Sequence, residues 1–151
     1  LYLSAKQLEL HPGEFGAYSI IRFTAPTTNL YNIASSFTAA TNDGTTTDVH
    51  VRQNGNPVAG GDGNVSGKYN EPKTVLNSFT YTNTGIFLNA GQTIDFAVGY
   101  GSNGNYLQDS TGLDATLTVA PEPSQVAPFV FLAFGLGAMV VMKKKKASAA
   151  A

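Results

Sequence analysis

Asp48, His50 and Arg52 are spaced two apart, and in an extended strand that spacing brings their side chains to one surface. A carboxylate, an imidazole and a guanidinium held together could move a proton or grip an anion. Catalysis would also need a nucleophile beside an oriented base, and the chain has no Gly-x-Ser-x-Gly elbow. The solvated outer face of a strand is therefore the expectation for this trio; His11 is the only other histidine. Asp95 and Asp114 raise glycoside hydrolysis, which needs two carboxylates about 5 to 9.5 Å apart across a cleft. They fall in separate predicted strands, which leaves a hydrolase fragment as an alternative and a non-enzymatic protein as the leading reading.

Sugar binding asks for an aromatic platform and a few polar groups that orient hydroxyls. Tyr100, Asn103, Asn105 and Tyr106 in one loop supply both, with Tyr69 and Asn70 in another, although the chain has no tryptophan. Calcium takes carboxylate and backbone oxygens from loops without a strict local motif. Asp43, Asp48, Asp62, Asp109 and Asp114 are candidates, with Asp109 and Asp114 the expected pair; no other cofactor is implied. Cysteine is absent, which excludes thiolate metal sites and thiol redox chemistry. Gly99-x-Gly101-x-x-Gly104 matches a dinucleotide fingerprint by letter, but the fingerprint needs a helix after it. Residues 101–112 carry no helical period, so a hairpin loop is expected.

The elements that position these residues are strands. Charged residues make up only 13% of the chain, and Gly, Thr, Asn and Ser are abundant, a composition of strands and turns. Residues 8–10 lead into the turn His11-Pro12-Gly13, and Tyr18 to Thr24 reads as a buried strand. Tyr31, Ile33, Ser35 and Phe37 alternate with polar or small neighbours, as do Val49 and Val51, Phe79 and Tyr81 in the run 74–82, and Ile94, Phe96 and Val98. Asn54-Gly55 marks a tight hairpin. Residues 59–70 are Gly-rich and weakly patterned, and read as a long loop with at most one short strand. In the last strand Ala115, Leu117 and Val119 alternate with Asp114, Thr116 and Thr118. Short strands with frequent turns and no helical window predict an all-β, antiparallel β-sandwich, with a jelly roll as the expected topology. Residues 1–119 form this one domain, which has no basic stripe to neutralise phosphates, so nucleic acid is not an expected partner.

The end of the chain is of another kind. Pro121-Glu122-Pro123 is followed by an uncharged run, 126–142, and then by Lys143, Lys144, Lys145 and Lys146. As a helix that run is about 25 Å long, short but sufficient for a transmembrane span. Lysines beside a span stay on the cytoplasmic side, which puts the domain outside the cytoplasm. Residues 147–151 are expected to be a disordered tail. Leu1-Tyr2-Leu3 carries neither an initiator Met nor a secretory signal, so an N-terminally truncated or signal-stripped piece is expected.

Motif, span and basic cluster together, over 120–146, resemble the PEP-CTERM sorting signal of exported bacterial proteins, with lysine standing where arginine is more usual. The resemblance implies an exosortase-type membrane protease as partner, transient anchoring in the inner membrane, and cleavage near Pro121-Glu122-Pro123. A second resemblance rests on Leu10-His11-Pro12-Gly13, Tyr18 through Pro26, Gly44 through Val51, Ala90-Gly91, Ile94 through Gly99, and Asp109 through Asp114. These look like a jelly-roll domain of exported proteins, similar in shape to carbohydrate-binding modules. Together they imply a secreted cell-envelope or matrix protein with polysaccharide as its expected ligand; a permanently anchored envelope protein is the alternative.

Overall fold

The computed structural model describes residues 3, 6–69 and 78–121. Eight strands follow one another: β1 (Leu8–Leu10), β2 (Ser19–Thr24), β3 (Asn29–Ala39), β4 (Thr45–Gln53), β5 (Asn56–Gly67), β6 (Ser78–Leu88), β7 (Thr93–Gly99) and β8 (Thr111–Val119). They form two antiparallel sheets, ordered β1-β8-β3-β6 and β2-β7-β4-β5, and so make the expected β-sandwich. Glu122, Pro123, the run 126–142, Lys143 to Lys146 and the tail 147–151 lie outside the described residues, as does the predicted strand start at 74–77.

The period of two decides what is buried. Strand β3 buries Tyr31, Ile33, Ser35, Phe37 and Ala39; β4 buries Thr45, Thr47, Val49 and Val51; and Ile94, Phe96 and Val98 of β7 complete the facing layer. Phe37 is the centre. Its ring lies 6.4 Å from Phe96 of the other sheet and 6.2 Å from Phe79 of its own, within the range of favourable ring pairs. At one end the layers are joined by hydroxyls: Thr47 Oγ1 lies 3.0 Å from Thr111 Oγ1, and Thr45 Oγ1 donates to the Ser110 carbonyl. Pairing these groups removes the cost of burying them.

Three expectations are corrected. Tyr18 to Thr24 does contain a strand, but not a buried one: Ile20 is 52% and Ile21 39% exposed. As β2 it is bonded to β7 alone, and an edge has no neighbour to cover its flank. Residues 59–67 are not a loop with at most one short strand, because they belong to the long strand β5, which runs from Asn56 through Gly67. Alternation is missing there because glycines stand where the strand meets bulky neighbours. A Cβ at Gly63 would enter the Phe79 ring, and one at Gly61 would meet the Val51 carbonyl. Between the pairs His50–Asp62 and Arg52–Pro57, residues Val58 to Gly61 bulge out against Val51 alone. Finally, β6 is continuous through Leu88; its register against β3 shifts beside Gly85, whose φ is +83°.

The Asn54-Gly55 turn is as predicted, with φ of +52° and +77° between the paired Gln53 and Asn56. The fit at Gly63 gives a direct test. Gly63→Ala should destabilise the domain by about 1–3 kcal/mol, the usual cost of overpacking, read as a lower urea midpoint with unchanged slope.

Candidate functional site

The outward register of β2-β7-β4-β5 carries the polar residues. Asp48 pairs with Gly99 and Asn64, His50 with Ala97 and Asp62, and Asp95 with both Arg22 and Arg52. Because strands sit ~4.8 Å apart, residues matched in register touch across the face. The His50 ring spans two carboxylates, with Nε2 2.6 Å from Asp48 Oδ2 and Nδ1 2.7 Å from Asp62 Oδ1. Arg52 pairs with Asp62, and Arg22 grips Asp95 through Nε at 2.6 Å and Nη2 at 2.8 Å. Tyr18, just before β2, donates its hydroxyl to Asp48 at 2.9 Å and packs edge-on to His50.

Asp48 also reaches the loop after β7, where its Oδ1 accepts from the Gly101 N–H at 2.7 Å. Burial pushes its carboxyl up, but hydrogen bonds from His50, Gly101 and Tyr18 outweigh that and hold it below the usual range. Asp62 is also held low, by His50 and then Arg52, while the Asp48 carboxylate raises the Tyr18 hydroxyl. The close approach needs glycine. A Cβ at Gly99 would strike Asp48, and one at Gly101, where φ is +70°, would strike the Thr46 carbonyl.

Two open cavities flank Tyr18. One, of about 320 Å³, is lined by Gly16, Asp48, Asn64, Tyr100 and Ser102; the other, of about 310 Å³, by Ile20, His50, Arg52, Asp95 and Ala97. Beside the first, Phe15 stands 94% exposed at the tip of a short turn with φ of +59°. A bulky residue held with positive φ and left in water is unusual. Tyr18 and Tyr100 with Asp48, Asn64 and Ser102, and His50, Arg52 and Asp95 beyond Tyr18, form a groove with an aromatic wall and a polar floor.

The predicted trio Asp48, His50 and Arg52 is thus assembled, more tightly than a solvated strand face would be. Both His50 nitrogens are occupied by Asp48, Asp62 and Arg52, leaving neither to take a proton from a nucleophile. Asp95 and Asp114 occupy outward registers of different sheets and do not face each other. Of the loop residues, Tyr100 lines the groove. Asn103 and Asn105 accept the N–H two residues on, at 3.0 Å each, and Asn103 Nδ2 donates to Thr46 Oγ1. Tyr106 sits edge-on to His11, and Tyr69 is buried. Gly101–Asn103 forms a single helical turn, so the fingerprint match is a loop, as expected. Phe15, Tyr18, Asn64 and Ser102 carry no site expectation from sequence, and Asp62 is expected only as a calcium candidate. Asp62 and Asn64 lie on the strand that reads as a loop, and the exposure of Phe15 leaves no signal in sequence.

The groove and sandwich define a β-rich protein with an aromatic and polar surface site. No protein-family model matches the chain, and no curated protein matches it. Among solved structures it is similar to a family 35 carbohydrate binding module from an environmental isolate. Identity is 16%, over 74% of this chain and 76% of that one, with a TM-score of 0.38. At that score the likeness carries no argument about fold or ligand.

The expected calcium pair does not share one place. Asp109 is fully buried before β8, its Oδ1 accepting from Thr46 N at 2.8 Å and Thr46 Oγ1 at 3.2 Å, while Asp114 is exposed on the outward register of β8 and lines a shallow trough with Ser36 and Thr80. No group of three His, Asp or Glu side chains arranged to hold a metal occurs among the described residues. One atom still asks for a partner: Asp109 Oδ2 is buried with no hydrogen bond. Desolvation raises the Asp109 carboxyl above its ordinary range, against the opposing pull of its Thr46 bonds. A raised acid contributes most below its unfolded pKa and loses that contribution as pH rises through the folded value. Asp109→Asn, which keeps the Oδ1 acceptor, should therefore gain in Tm over the parent as pH rises from 4 to 8, measured by thermal melts without added metal. A Tm rise with calcium in the parent that is absent from the variant would instead assign Oδ2 to an ion.

Proposed function

We propose that this chain is an exported, non-catalytic protein that binds polysaccharide through the groove on β2-β7-β4-β5. The observation that carries the binding part is the aromatic pair Tyr18 and Tyr100 lining one cavity with Asp48, Asn64 and Ser102, with the solvent-exposed ring of Phe15 next in sequence to Gly16 of that lining. Aromatic faces stack on the apolar faces of sugar rings, and amide and hydroxyl groups orient the ring hydroxyls. The order β1-β8-β3-β6 facing β2-β7-β4-β5 supports reading the sandwich as an eight-stranded jelly roll. The routing part rests on sequence: Pro121-Glu122-Pro123, the apolar run 126–142 and Lys143 to Lys146 support an exosortase-processed tail, with release to the cell surface or medium.

Each part has its own test. Tyr18→Ala and Phe15→Ala should each weaken polysaccharide affinity about tenfold, ~1.4 kcal/mol, in affinity electrophoresis. The Phe15 variant should keep its stability within ~0.5 kcal/mol, because its side chain is in solvent. For routing, the full chain is expressed in a host with an exosortase and in one without it. Mass spectrometry should find residues 126–146 lost only in the first; retention in both hosts would favour the permanent anchor.

A further inference from the structure

The charge arrangement of the groove narrows the kind of polysaccharide, an inference that rests on the binding role proposed above. The charged side chains and imidazole lining the two cavities are Asp48, His50, Arg52 and Asp95. Each already has a partner on the same face. Arg52 is paired with Asp62, Asp95 receives two bonds from Arg22, His50 lies between Asp48 and Asp62, and Asp48 accepts from Tyr18, His50 and Gly101.

An anionic sugar would have to draw Arg52 from Asp62 or Arg22 from Asp95, leaving a carboxylate without its partner. It would also meet Asp48, Asp62 and Asp95 together, three carboxylates against two guanidinium groups and one imidazole. A cationic amino sugar fares no better, since Asp48 already holds three donors. What the protein leaves open is neutral. Asn64, Tyr100 and Ser102 line the first cavity, and among the described residues no hydrogen bond engages their side chains. Amides and hydroxyls of this kind match sugar hydroxyls in both donor and acceptor sense.

We propose that the groove selects an uncharged polysaccharide, laid across Tyr18 so that sugar rings occupy the cavity on either side of it. Ring stacking and neutral hydrogen bonds are screened little by salt, unlike contacts between exposed charges. The test is a panel of soluble neutral glucans, mannans and xylans beside uronate-rich and sulfated polysaccharides, titrated against the intact domain at ~0.05 and ~0.5 M NaCl. Binding to a neutral member that changes less than about twofold between the two salts, with none to the acidic members, is expected. Binding to acidic members that weakens as salt rises would overturn the charge assignment while leaving polysaccharide binding in place. No binding to any member would remove the binding role itself, and this inference with it.

Discussion

One carboxylate holds the outer face of β2-β7-β4-β5 together. Asp48 accepts from the hydroxyl of Tyr18 before β2, from the ring of His50 on its own strand, and from the backbone N–H of Gly101 in the loop after β7. Those groups come from three parts of the chain that sequence separation keeps far apart. A carboxylate bonded by several donors remains ionised, and an ionised acceptor makes each bond stronger than a neutral one would be. Tyr18 is thereby fixed in orientation, and so is the wall that separates the two cavities.

That hub depends on side chains that are missing. Gly99 and Gly101 lie where any Cβ would strike Asp48 or the Thr46 carbonyl, so the loop can approach the carboxylate only as glycine. Gly61 and Gly63 do the same for β5, letting it lie against Val51 and Phe79 and carry Asp62 and Asn64 onto the face. Glycine in a strand has an entropic cost. Here the cost is offset by contacts that no other residue permits.

The same glycines explain what sequence could and could not reveal. Strands β3, β4 and β7 are legible because each alternates a core residue with an outward one, and burial follows that alternation at Tyr31, Ile33 and Phe37, at Val49 and Val51, and at Ile94, Phe96 and Val98. Strand β5 is not, since glycine erases the period where packing is tightest. With β5 lost, Asp62 cannot be placed beside His50, and the trio Asp48, His50 and Arg52 reads as an unpartnered strand face. Tyr100 is expected from its loop and does line the groove, but Asn103 and Asn105 are ambiguous in sequence, because an asparagine that shapes a turn and one that meets a ligand have the same letter. Phe15 and Ile20 illustrate the converse: apolar residues are assigned inward by default, but Ile20 sits on the outward register of β2 across from Ala97, and Phe15 sits on the turn before that strand, so both stand in water.

The division between the two faces of this sheet sets what can vary without loss of fold. Inward positions are closed by Phe37, Phe96 and the valines of β4, whose burial supplies the cohesion of the sandwich. Outward positions contribute mainly through paired charges at or near the surface, which stabilise little. The exposed ring of Phe15 therefore gives the domain almost nothing as a folded object. Phe15 in addition holds a positive φ that costs about 1 kcal/mol or more in a residue of its kind. A strained, solvent-exposed aromatic is poorly accounted for by stability, and the binding role proposed above is what would give it a purpose.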